Sequence, residues 1–151
     1  MGDYALGQPV PRFEDPRLIE GGGRYTDDVS MEGLVHGVVL RARHAHAKIL
    51  KIETSRALAA PGVLAVLTHR DWTESGYGDL PRPKGKTKRD GSPMYAPPLP
   101  GFPKDYVRWV GDFVAFVVAE TRWQALDALE LIDVDYEVLP AVLTAEEAIK
   151  P

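Results

Sequence analysis

Apolar side chains occupy both sides of the chain from Leu34 to Arg43. Leu34, His36, Val38, Leu40 and Ala42 fall on one side of an extended segment, and Val35, Gly37, Val39, Arg41 and Arg43 on the other. Such a strand enters a covered sheet and leaves at a polar edge where the arginines begin. Residues 47–54, with Leu50 and Ile52 on one face, predict a second strand after a sharp connection. Ser55 opens a short helix over 56–60 that Pro61-Gly62 ends. Residues 63–68 are almost wholly apolar, as in a strand covered on both faces, and His69 to Trp72 make one further helical turn.

Regular pattern stops at Thr73 and returns at Tyr106. An extended piece, 107–110, precedes Gly111-Asp112, and 113–120 is the clearest strand in the chain. Thr121 and Gln124 then form a capping box, which opens a helix running to about Leu131 with Ala125, Leu126, Ala128, Leu129 and Ile132 turned toward a sheet. Ile132, Val134 and Tyr136 alternate with Asp133, Asp135 and Glu137, the mark of a half-exposed strand with an acidic outer side. Thr144 with Glu147 caps a last short helix. Six strands or so, with two or three short helices connecting them, give a class of α/β or α+β. The expectation is one mixed sheet in a single domain spanning 1–151.

The remaining stretches have no periodicity. Residues 1–11 read as an extended arm. Asp15 can cap a turn begun by Pro16, Gly21-Gly22-Gly23 forces a loop, and 24–28 reads as a short strand closing into a turn. No strand precedes the three glycines and no lysine follows them, so they lack the features of a phosphate-binding loop. Asp27 and Asp28 suit turn chemistry better than a shared metal. The long irregular loop, 73–105, holds most of the prolines and the basic residues Arg82, Lys84, Lys86, Lys88 and Arg89, with Tyr77 and Tyr95 nearby. Bases on aromatic rings beside such a cluster would suit single-stranded nucleic acid. Without a second basic stripe, a solvated loop is the favoured account.

Composition narrows the chemistry. The chain has 151 residues, 44% hydrophobic and 26% charged, with a formal net charge of −4, values of an ordinary globular protein with no pull toward nucleic acid or acidic membranes. It contains no cysteine, which removes disulfides, thiolate metal sites, iron–sulfur ligation and cysteine nucleophiles. The N-terminal residues have no apolar core of a signal peptide, and no apolar run is long enough to span a bilayer, so a cytoplasmic protein is expected. His44 and His46 share a side if their segment is extended, but two nitrogens fall short of the three or four ligands of a closed site. Ser30, Ser55, Ser75 and Ser92 sit at turns or caps without a nucleophile motif. No catalytic, cofactor-binding or metal-ligating residue is expected in this chain.

Several segments together resemble the start of molybdenum hydroxylase large subunits, the family of carbon monoxide dehydrogenase, aldehyde oxidase and xanthine dehydrogenase. They are Arg12-Phe13-Glu14-Asp15-Pro16-Arg17-Leu18-Ile19, Gly21 to Asp28, Leu34-Val35-His36-Gly37, Arg43-His44-Ala45-His46-Ala47-Lys48-Ile49, Ala60-Pro61-Gly62-Val63, Val110-Gly111-Asp112, Val117-Val118-Ala119-Glu120 and Val134 to Pro140. Arg41-Ala42-Arg43-His44 departs from the pattern, since relatives often carry serine and proline before the histidine. The resemblance implies an α+β fold, the α/β-hammerhead. It implies a non-catalytic N-terminal domain, either part of a longer chain or one piece of a split subunit. Molybdopterin would lie in later domains, and FAD and iron–sulfur clusters on partner subunits, with the substrate an aldehyde, a heterocycle or carbon monoxide. Arg12, Arg43, His44 and His46 would be structural markers or subunit contacts. A free-standing interaction module of the same fold is the alternative, and a nucleic-acid binder through 82–89 a weaker one.

Overall fold

The strand expected at 113–120 forms at Phe113–Ala119 and becomes the middle of a sheet. A computed structural model of the chain describes Gly7, residues 9–81 and residues 85–150. These divide into two compact units, Met1–Leu34 and Val35–Pro151. In order, the helices are α1 (Asp15–Ile19), α2 (Ser55–Leu58), α3 (His69–Glu74), α4 (Arg122–Leu129) and α5 (Ala145–Ala148). The strands are β1 (His36–Arg41), β2 (Ala47–Glu53), β3 (Val63–Leu67), β4 (Tyr106–Val107), β5 (Phe113–Ala119) and β6 (Asp133–Val138).

The class and the strand count are as the pattern implied, and the sheet is not. The six strands form two separate three-stranded antiparallel sheets, β1-β5-β3 and β4-β2-β6. β1 and β2 are consecutive in sequence yet belong to different sheets, so their connection is a crossing and not a hairpin. Apolar alternation reports which side of a strand is covered; it carries no information on which sheet the strand joins.

The first sheet packs against α4. Ala125 and Ala128 of the helix and Ala115, Val117 and Ala119 of β5 are all fully buried in one cluster with Ala57 and Ile132. Leu126 and Leu129 are half-buried, so the predicted helical face is the observed one. Small side chains on both partners let the helix approach the sheet closely. Thr121 starts α4 as expected: its hydroxyl oxygen accepts from the Gln124 amide at 3.3 Å, and Gln124 Oε1 accepts from the Thr121 amide at 2.9 Å. Thr68 and Asp71 make a second capping box on α3 that the pattern did not announce, and Thr144 accepts from the Glu147 amide at the start of α5.

Ala60 to Val63 form a turn in which the Val63 amide donates to the Ala60 carbonyl at 3.2 Å, with Pro61 second and Gly62 third. Gly62 has φ +74°, the left-handed conformation this turn requires at that place. A Cβ there would also overlap the Gln124 side chain, so the turn and the α4 cap meet.

The second sheet carries a charge ladder. On its exposed side Lys48 pairs with Glu137 and Lys51 with Asp135, so the acidic face of β6 lies opposite lysines. Glu53 pairs with Asp133, a like-charge apposition relieved by Lys51 Nζ at 3.1 Å from Glu53 and Arg56 at 3.5 Å from Asp133. Lys48 therefore sits inside a ladder, between Tyr106 and Glu137.

The long loop is pinned at both ends to α3. Trp72 lies 5.0 Å from the Tyr77 ring and 5.9 Å from Phe102, and its Nε1 donates to the Gly78 carbonyl. His69 Nδ1 reaches the Phe102 carbonyl at 3.1 Å, and the Leu80 amide donates to Leu99. Of the basic cluster, Lys86, Lys88 and Arg89 are exposed, while Arg82 and Lys84 lie outside the described residues.

Within the unit Met1–Leu34, the three glycines finish α1. The Gly22 amide donates to Arg17 and the Gly21 amide to Leu18, with Gly21 at φ +76°, the hydrogen-bond pair of a Schellman cap. The strand expected at 24–28 is instead a 3₁₀ turn at Thr26–Asp28, because the Asp28 carboxylate accepts the Tyr25 amide at 2.8 Å and closes the chain on itself. Asp15 is inside α1, not before it, and its carboxylate accepts the backbone amide and Nε of Arg12. Most of the expected arm 1–11 lies outside the described residues.

Candidate functional site

The crossing from β1 to β2 is held by two buried alanines. Ala42 is 3% exposed and Ala47 fully buried, and Arg43 to His46 arch between them. Ala42 exchanges two 2.8 Å hydrogen bonds with the turn before β5: its amide donates to the Asp112 carbonyl, and the Gly111 amide donates to its own carbonyl. Arg41 folds over the same turn, with Nη1 donating to Gly111 at 3.1 Å and its guanidinium 4.4 Å from the centre of the Phe113 ring.

The two histidines part. His44 meets the Tyr136 ring edge-on at 5.1 Å. His46 Nδ1 donates to the Pro140 carbonyl at 2.8 Å, its own carbonyl accepts the Leu139 amide, and its ring lies 6.3 Å from Tyr106. Tyr106 and Tyr136 pair with consecutive residues, Lys48 and Ile49, and so lie on opposite faces of the second sheet. The shared side expected of His44 and His46 is absent because the segment arches instead of running extended. His46 is thus a clip that holds the chain leaving β6. Arg12 makes a local, exposed ion pair with Asp15 at 3.0 Å. Among the described residues no three His, Asp or Glu side chains converge as metal ligands would.

Beside His44 opens a cleft of about 500 Å³. Leu40, Leu129, Ile132 and Val134 give it an apolar floor, and Arg43, His44 and Tyr136 stand on one wall. Burial raises the Tyr136 phenol above its ordinary value, the nearby Asp112 charge adds to that, and Arg43 opposes it.

Asp112, which the pattern marked only as part of a turn, is the one buried charged side chain among the described residues, at 6% exposed. Its two carboxylate oxygens accept the Arg108 and Phe113 amides at 3.2 and 3.0 Å. Burial raises its pKa, and these two donors only partly offset the rise. The sequence signal was the aspartate after glycine in front of an apolar strand, where a carboxylate can satisfy the amides a tight turn leaves free.

Asp112 sets a pH dependence of definite sign. Folded Asp112 keeps its proton to higher pH than unfolded Asp112, so between the ordinary aspartate value and the raised one stability falls as pH rises. Glu53 acts oppositely: Ser55 side-chain and backbone hydrogen bonds and then Lys51 hold it at about 2, so its contribution is lost as pH falls from its ordinary value toward 2. In Asp112→Asn the falling component is gone. The stability of that variant relative to the parent should therefore rise as pH is taken upward from the ordinary aspartate value of about 4 in urea titrations. A difference constant across that window would refute the assignment.

Comparison with known proteins fits this frame of two small antiparallel sheets and one packed helix. The family described as "Aldehyde oxidase and xanthine dehydrogenase, a/b hammerhead domain" matches residues 20–140. The chain belongs to that family. The carbon monoxide dehydrogenase large chain of Afipia carboxidovorans is 40% identical over 146 residues, 97% of this chain and 17% of the relative. Among solved structures, quinoline 2-oxidoreductase from Pseudomonas putida 86 superposes with a TM-score of 0.78 at 37% identity, covering 96% of this chain and 18% of that one. The Cu,Mo-CO dehydrogenase gives 0.75 at 37% identity, over 97% of this chain and 17% of that one. This hammerhead thus spans under a fifth of the length of each. No helix among its described residues is long and apolar enough to cross a membrane.

Proposed function

We propose that this hammerhead is a non-catalytic N-terminal domain of a molybdopterin-dependent oxidoreductase acting on an aldehyde, a heterocycle or carbon monoxide. Its work is to pack on the cofactor-binding part of the large subunit and on subunits carrying FAD and iron–sulfur clusters. The observation that carries this reading is a likeness covering 97% of this chain but 17% of the carbon monoxide dehydrogenase large chain. The residues present do not fit the cofactors themselves. There is no cysteine for a cluster, no converging ligand set among the described residues, and the three glycines are used to close α1. No step of the reaction is assigned to this chain.

Metal analysis tests the division of labour. The purified 151-residue chain should hold no molybdenum after expression in cells that make the cofactor, while the enzyme containing it should hold the metal. Molybdenum retained by the chain alone would overturn the proposal.

A further inference from the structure

Arg43, His44 and Tyr136 meet at the cleft with no hydrogen bond or ion pair to a carboxylate among the described residues, although Glu130 and Asp133 line the same cleft. Arg43 is exposed and makes no hydrogen bond or ion pair among the described residues, and neither the His44 ring nitrogens nor the Tyr136 hydroxyl has one. Arg41, next to them, rests on a backbone carbonyl and an aromatic face instead of an acid. These groups stand over an apolar floor, in a chain whose net charge is −4. The neighbouring turn is apolar and open, with Trp109 at 50%, Val110 at 65% and Phe113 at 42% exposure. Arginine and exposed aromatics beside a cleft that is apolar only in part make the composition of an interface centre.

From this arrangement we infer that the cleft between β6 and the Arg43-His44 arch is a docking site for an acidic polypeptide segment from the rest of the enzyme. A leucine-like side chain of that segment fills the apolar floor, and a neighbouring carboxylate meets Arg43 and His44. The acids at the cleft fix where the incoming charge sits. Asp133 is already paired with Arg56, and Glu130 lies at the α4 end, so a carboxylate is favoured only on the arginine side. Charge complementarity points to an acidic partner, and relatives five to six times longer than this hammerhead supply the polypeptide. The assignment rests on the proposed function for the identity of its partner, and not for its chemistry.

Titration of the isotope-labelled chain with the capped peptide Gly-Glu-Leu-Glu-Leu-Glu-Gly, followed by amide NMR, tests it. Saturable shifts confined to 41–44, 109–113 and 129–136 are expected below about 5 mM peptide, weakening as salt is raised. The counterpart with glutamine in place of glutamate should bind roughly tenfold or more weakly, and Arg43→Glu should weaken the acidic peptide similarly. Lys48→Glu, on the opposite face of the second sheet, should leave the peptide binding unchanged. Arg43→Glu should keep the parent's thermal midpoint, whereas Lys48→Glu, directly opposite Glu137, should lower it without touching the binding. Equal binding of the glutamine peptide, shifts centred elsewhere, or no saturable binding would overturn the inference. So would hexanoate binding as tightly as the peptide, since that would make the cleft a site for small free acids. Molybdenum on the isolated chain would overturn the proposed function and leave this titration standing.

Discussion

Gly62→Ala should lower the unfolding free energy by about 1.5–4 kcal/mol, from two separable causes. Gly62 has φ +74°, where a residue with a Cβ is strained by about 1–2 kcal/mol. The new methyl would also overlap the Gln124 side chain, whose Oε1 accepts the Thr121 amide at the start of α4. Displacing it weakens a cap of about 0.5–2 kcal/mol. Urea unfolding measures the sum, and repeating it in a Gln124→Ala background separates the parts. There the cost of Gly62→Ala should shrink toward the strain alone. A cost equal in both backgrounds within about 0.5 kcal/mol would show that turn and cap are independent.

Val117→Ala should cost about 2–3 kcal/mol. Val117 is fully buried, pairs with Val38 on one side and Val66 on the other, and lies in the cluster that receives α4. Two methylene equivalents are worth about 1.6 kcal/mol in transfer, and the cavity adds to that because a strand paired on both edges cannot collapse into it. Leu64→Ala removes more apolar atoms, but from a β3 position 53% exposed, and should stay within about 0.5–1 kcal/mol. If Leu64→Ala proved the more costly in denaturant titrations, the core would have been placed on the wrong face of the sheet.

Local signals in the sequence proved dependable where the cause is local. The capping residues Thr121 and Gln124 act through neighbours three positions away, and the α4 face follows from helical spacing. The alternation of Val134 and Tyr136 with Asp133, Asp135 and Glu137 likewise reports the covered side of β6. Three of the failures share a non-local cause. Division into two sheets depends on Ala42 bonding to Gly111 and Asp112, seventy residues away. The parting of His44 from His46 depends on Tyr136 and Pro140, which no local pattern connects to them. Asp112 looked like one more turn aspartate because its burial is created by strands drawn from both halves of the unit. In the unit Met1–Leu34 the cause is local: the carboxylate of Asp28 overrides the apparent strand at 24–28 through a bond three residues long.

The order of strands also governs how fast the chain can become a hammerhead. β1 finds its partner only when β5 arrives, as Arg41 opposite Phe113 shows; β2 meets the two-residue β4 slightly sooner, with Ala47 opposite Val107, and its long partner β6 only later, since Ala47 also faces Val138. Such distant pairing places refolding in the millisecond-to-second regime of sheet proteins. At the ribosome, where roughly 5–20 residues are added each second, the first two strands stay unpaired for about 3 s or more. During that interval the apolar sides of β1 and β2 are open to other chains, and the lysines at 48 and 51 are the charges that keep the waiting β2 from joining them.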